Sequence, residues 1–162
     1  METHKLDTEK QIFFYEQDFY VLSNFSSFKV IWRGIEFDTS EHAYHYAKFI
    51  QSSGLPFGPG CKIAGEAILK SKSAHEAFKI AERNKVYRDC NWNNVKESVM
   101  KEILFAKVAQ HEYVYKKLME TGDRELIEDS WRDSYWGWGP NKDGQNMLGK
   151  LWMEIREELR NS

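Results

Sequence analysis

Thr39, Ser40, Glu41 and His42 open a helical run that carries side chains able to move protons. Glu41 falls in the first turn, where the helix dipole and free N–H groups favour a negative charge. A carboxylate there can act as a general base, stabilise an oxocarbenium ion or accept from sugar hydroxyls. An acidic residue in a first turn also serves helix stability alone. Lys48 follows seven residues later. At about 100° per residue it returns to within about 20° of the Glu41 face, two turns on. His45 lies between them. A Glu, a His and a Lys along one face make either a catalytic stripe or a solvated face. His42 and His45, at i and i+3, could share a metal, although no cysteine joins them at zinc spacing.

Two other segments hold polar and aromatic residues that packing alone does not require. Asn24 sits among apolar neighbours in residues 22–26, either as a turn residue or as a ligand contact. Residues 131–146 gather Trp131, Asp133, Trp136, Gly137, Trp138, Gly139, Gly144 and Asn146. Glycine permits close backbone approach. Indole offers a flat face to a base or a sugar. Asp133 supplies a second carboxylate. Asn146 precedes the last helix, where it either caps the helix or presents an amide, and a helix N-terminus can also meet a phosphate. The alternative is a tightly packed structural loop. Two carboxylates in different settings, with aromatic platforms beside them, point to glycosyl chemistry in general.

The elements that must hold these residues follow from periodicity. Residues 12–17, 19–25, 28–32 and 35–37 are rich in aromatic and β-branched residues and read as short strands, with Arg33 and Gly34 as a hairpin turn. Helices are expected over 41–51 with Thr39 and Ser40 before it as the cap, at 61–70, and at 73–83 with Ser73 and Glu76 as a capping box. Residues 53–60 read as a Gly/Pro loop. Val95, Val99, Ile103 and Ala106 mark a helix over 93–109, and another piece covers 111–121. Residues 125–129 read as a late strand. Leu148, Leu151, Trp152, Ile155 and Leu159 mark a final helix over 146–160. Strands first and helices afterwards argue for α+β: a mainly helical single domain, residues 12–162, with a small N-terminal antiparallel β region. Residues 1–11 read as a frayed arm.

The 162 residues carry 41% hydrophobic and 30% charged side chains and a net charge of −2, which excludes disordered and collagenous classes. No global basic excess argues for nucleic acid. Cys61 and Cys90 form neither a CxxC nor a disulfide framework, and the polar start has no apolar h-region, so a cytoplasmic protein with no membrane partner is expected. Dinucleotide, P-loop, HExxH and GxSxG signatures are absent.

Residues 22–25, 34–37, 39–42 with Lys48 and Phe49, 92–100, Lys107 with Gln110, 133–137, 144–149 and 151–156 occur in an order that resembles the NADAR/YbiA-like family of N-glycosidases, over roughly residues 12–160. The resemblance implies hydrolysis of an N-glycosidic bond at ribose, with no metal and no cofactor. In that family some members cleave ribosylamino phosphate intermediates of early riboflavin biosynthesis. Others remove ADP-ribose from guanine in nucleic acid. The expected partner is therefore a small riboside phosphate or an ADP-ribosylated nucleic acid, and a non-catalytic ADP-ribose-binding module is the third reading. The net charge mildly favours the small molecule. Carried over by position, Glu41 is the first catalytic residue and Asp133 the second. Lys48 is a phosphate contact or a Schiff-base nucleophile. Asn24, Phe25, His45, Trp92, Lys107, Trp136, Gly137 and Asn146 are expected to line the pocket. Lys107 and Arg156 are further phosphate candidates. This chain departs from the family at His45, where the pattern has Gln, and at Ala43, where it has a ring.

Overall fold

Each short apolar run folds according to what its backbone can pair with. The computed structural model describes residues 1–50 and 57–162. In chain order the elements are β1 (Gln11–Phe14), β2 (Val30–Trp32), β3 (Ile35–Phe37), α1 (Ser40–Ala47), α2 (Gly58–Lys70), α3 (Ala74–Arg83), α4 (Trp92–Gln110), α5 (Glu112–Glu120), β4 (Glu125–Glu128) and α6 (Met147–Arg160). They group into two compact units: Met1–Ser26 with His111–Ser162, and Ser27–Gln110.

In the Ser27–Gln110 unit, β2 and β3 pair antiparallel, Val30 opposite Phe37 and Trp32 opposite Ile35. Arg33 (φ 49°) and Gly34 (φ 78°) both take positive φ, which a two-residue hairpin loop requires. The amide of Gln110 completes the β2 edge, accepting from Ile31 N and donating to Ile31 O at 2.8 Å each. Thr39 caps α1 by accepting from His42 N–H. Ser73 caps α3 through Glu76 N–H, while Glu76 accepts from Lys72 N–H instead of the cap's own amide. Of the expected Gly/Pro loop, residues 53–56 lie outside the described residues. Gly58, Pro59 and Gly60 instead form the first turn of α2, where a missing proline N–H costs nothing. The buried face of α4 runs through Val99, Met100, Ile103, Leu104, Lys107 and Val108, rotated from the expected stripe, so Val95 and Ala106 are half-buried.

In the other unit, β1 pairs parallel with β4, Gln11 opposite Glu125 and Phe14 opposite Glu128. The expectation of an antiparallel N-terminal region therefore holds for β2 and β3 but not for β1. Residues 19–25 are not a strand. Tyr20–Leu22 form a single 3₁₀ turn, and the serines that follow divert the backbone from a ladder. Ser26 Oγ donates to Ser23 O at 2.7 Å, and Phe25 N–H donates to Ser23 Oγ. Trp152 on α6 anchors this turn by donating from Nε1 to Leu22 O at 2.8 Å. α6 also lies close on β4: a Cβ on Gly149 would sit 2.0 Å from Leu126 O. Residues 1–10 contain no helix or strand. His4 is buried, with Nε2 2.8 Å from Asp129 Oδ2, and Asp7 Oδ1 accepts from Phe13 N–H at 2.7 Å.

Candidate functional site

α1 brings the expected Glu, His and Lys together. Glu41 Oε1 lies 2.6 Å from His45 Nε2, and both side chains are buried. An ionised carboxylate only accepts, so an ionised Glu41 requires the N–H of this pair to be on Nε2 of the imidazole. The His45 ring is held edge-on by Tyr44 at 5.3 Å and by Phe78 of α3 at 5.7 Å. Lys48 caps the C-terminus of α1 and places Nζ 4.9 Å from the centre of the Tyr44 ring. Tyr44 in turn packs on Trp92 at 5.3 Å. Burial lowers the Lys48 ammonium from 10.5 to about 8. Glu41 and Glu82 pull it back up, and Arg88 and Lys85 push it further down. Asp89 N–H donates to Lys48 O at 2.8 Å, which ties the segment carrying Arg88 to the end of α1. Ser40 Oγ, His42 Nε2 and His45 Nδ1 are buried polar atoms with no hydrogen-bond partner among the described residues. Packing does not account for three such atoms on one two-turn helix. His42 is turned toward its own cap, with Nδ1 2.8 Å from Thr39 Oγ1.

Two expected pocket residues of this unit take interior positions. Trp92 is buried, so its ring serves Tyr44 and not an open face. Lys107 is fully buried, with Nζ 5.4 Å from the centre of the Phe28 ring, and burial lowers its ammonium to about 7. Tyr44 was not singled out in the sequence. Its i, i+4 relation to Lys48 is the signal that finds it.

In the other unit the loop at 129–146 is largely structural. Asp133 Oδ1 accepts from the N–H groups of Tyr135 and Trp136 at 2.8 Å each, so one carboxylate oxygen is spent on the turn. Gly137 is required by space: a Cβ there would lie 2.7 Å from Ser130 Cβ. Asn146 takes a left-handed conformation (φ 50°) and neither caps α6 nor offers its amide outward. Its Oδ1 accepts from Glu128 N–H at 2.9 Å and its Nδ2 donates to Leu126 O at 2.8 Å, completing the β4 edge. Arg156 is also interior, donating to Thr121 Oγ1 and Arg124 O. Trp136 is half-buried against Tyr135, and Asn24 is buried in the serine turn beside Phe25, which is 51% exposed. Of the expected residues in this unit, Phe25 is exposed, and Trp136 and Asp133 are half-buried. The open surface concavities around Glu9, Lys10, Thr121 and Arg124 contain none of the expected site residues. Among the described residues no group of three His, Cys, Asp or Glu could hold a metal ion. None of the helices described is long and apolar enough to cross a membrane.

This arrangement, a carboxylate–imidazole pair and a lysine on a short capped helix, occurs in a chain that belongs to the NADAR domain family, whose profile matches residues 13–160. An N-glycosidase of Nostoc punctiforme is 34% identical over 152 residues, 93% of each chain. A riboflavin biosynthesis protein of Vibrio vulnificus is 31% identical over 154 residues, 94% of this chain but 39% of the longer relative. The solution structure of the Escherichia coli protein YbiA superposes with a TM-score of 0.80 at 31% identity, covering 96% of this chain and 88% of that one. The α+β fold, with six helices among the described residues, is therefore the fold of that structure.

Proposed function

We propose that this chain is an N-glycosidase that hydrolyses the C1–N bond of a ribosylamine 5′-phosphate or a related N-riboside. The observation that carries the reading is α1 itself: Glu41 paired at 2.6 Å with His45, beside Lys48, on a helix with three buried polar atoms that packing leaves unexplained. Relatives named N-glycosidase and riboflavin biosynthesis protein support the same class of bond and substrate.

In this reading the C1–N bond breaks with its electron pair going to nitrogen, and positive charge builds at C1. The Glu41 carboxylate stabilises that charge and takes a proton from the water that adds to C1. The departing nitrogen receives a proton from solvent, and the proton that Glu41 takes from water returns to solvent. Lys48 contacts the phosphate as a cation, or in its neutral form adds to C1 of the ring-opened substrate and displaces the amine, leaving an imine on Lys48 that water hydrolyses to release the sugar and the lysine.

One observation favours a second reading. The unit carrying Glu41 has 13 Lys and Arg against 9 Asp and Glu, a net +4, whereas the other unit has 10 against 16, a net −6. The overall −2 hides a basic half, and a basic half suits removal of ADP-ribose from guanine in nucleic acid. Paired assays with purified protein separate the two. One offers a pyrimidine ribosylamine 5′-phosphate and the other an oligonucleotide bearing ADP-ribosylated guanine. Faster cleavage of the first is the expected result, and faster cleavage of the second makes the chain a nucleic-acid ADP-ribosyl hydrolase. Cleavage of neither, with ADP-ribose bound, makes it a binding module and overturns the proposal.

A further inference from the structure

We propose that His45 is a positioning residue for Glu41, fixing where its carboxylate points. The inference rests on the proposed function for its activity arm, and on geometry alone for its structural arm.

A glutamate in a first helical turn has three side-chain torsions and sweeps a wide arc. Here Oε1 is fixed 2.6 Å from His45 Nε2, one turn further on. The imidazole cannot follow a wandering carboxylate, because it is buried and packs against Tyr44 and Phe78. The rigid ring therefore sets where Glu41 points. A glutamine amide at position 45 could supply the same N–H.

Nδ1 is buried and meets no partner among the described residues, so the hydrogen-bonding contact of the ring is the one to Glu41 through Nε2.

The test has two readouts. Nitrogen-15 spectra of the histidine rings at pH 8 should show Nε2 of His45 protonated and Nδ1 bare. A proton on Nδ1 refutes the pairing whatever the activity. Rates of riboside hydrolysis at pH 8 then compare wild type, His45→Gln and His45→Ala, each checked for folding by circular dichroism. His45→Gln, which keeps an N–H for Glu41, should stay within about threefold of wild type in kcat, and folded His45→Ala should fall by about a hundredfold in kcat with KM little changed. A folded His45→Gln protein that loses about a hundredfold, or a folded His45→Ala protein at the wild-type rate, overturns the proposal. If His45→Ala does not fold, the rate of His45→Gln still decides. Full absence of hydrolysis with Nε2 protonated would refute the proposed function and leave the pairing standing.

Discussion

Lys107 places a charge in the interior of the Ser27–Gln110 unit, and replacing it by methionine measures what that charge costs. The residue is fully buried, and burial lowers its ammonium from 10.5 to about 7. Each tenfold change in proton affinity corresponds to about 1.4 kcal/mol, so at pH 7 the buried lysine costs folding about 4 kcal/mol. Stacking of the cation on Phe28 at 5.4 Å returns about 1–2 kcal/mol. Methionine fills the same space without a charge, so Lys107→Met should be the more stable protein at pH 7. The sign of the pH dependence follows from proton counts. Below about pH 7 both the folded and unfolded lysines are protonated and the cost is complete. Between about 7 and 10.5 the unfolded chain holds a proton that the folded chain has lost, so wild-type stability rises with pH relative to the variant. Urea unfolding at pH 7 and pH 9 should show the gap narrowing by about 2 kcal/mol. A gap that is equal at both pH values would mean that Lys107 keeps its proton in the fold, and would refute the reasoning.

Other substitutions test the assignments around it. Asn146→Ala strands Glu128 N–H and Leu126 O and puts alanine at φ 50°, so unfolding titrations should show a loss of about 3 kcal/mol. A loss below about 1 kcal/mol would return Asn146 to the ligand side of the site. Lys48 should form a borohydride-stable adduct with ribose 5-phosphate. Its rate should rise about tenfold from pH 7 to pH 9 as the amine loses its proton through about 8. Mass spectrometry should find the adduct missing in Lys48→Met, and an equal adduct in the variant would remove Lys48 from any covalent role.

The residues that fold locally were the legible ones. Thr39 and Ser73 announce their helices because a cap acts within three residues of itself, and Arg33–Gly34 announces its hairpin for the same reason. What β1 pairs with was not legible, because alternation marks a strand without naming a partner more than a hundred residues away. Side chains that mimic strands were hidden in the same manner. Gln110 and Asn146 look like polar residues available to a ligand, yet each completes the edge of a distant strand. Lys107 could have been placed correctly: with Met100, Ile103 and Leu104 it lies on one helical face, and that face is the buried one. Glu41, His45 and Lys48 were legible as a stripe because they share one short helix. The residues expected from 131–146 were less so, since Trp and Gly rigidify a loop and serve a ligand with the same chemistry.

The measurement that bears most directly on the account is the hydrolysis rate of Glu41→Gln against wild type on a ribosylamine 5′-phosphate at pH 8, with thermal melts to confirm that both are folded. Glutamine keeps the size and a hydrogen-bonding end beside His45 but carries no negative charge to C1. The account predicts a loss in kcat of at least about a hundredfold with a similar melting temperature. A folded Glu41→Gln protein that turns over at the wild-type rate would contradict it.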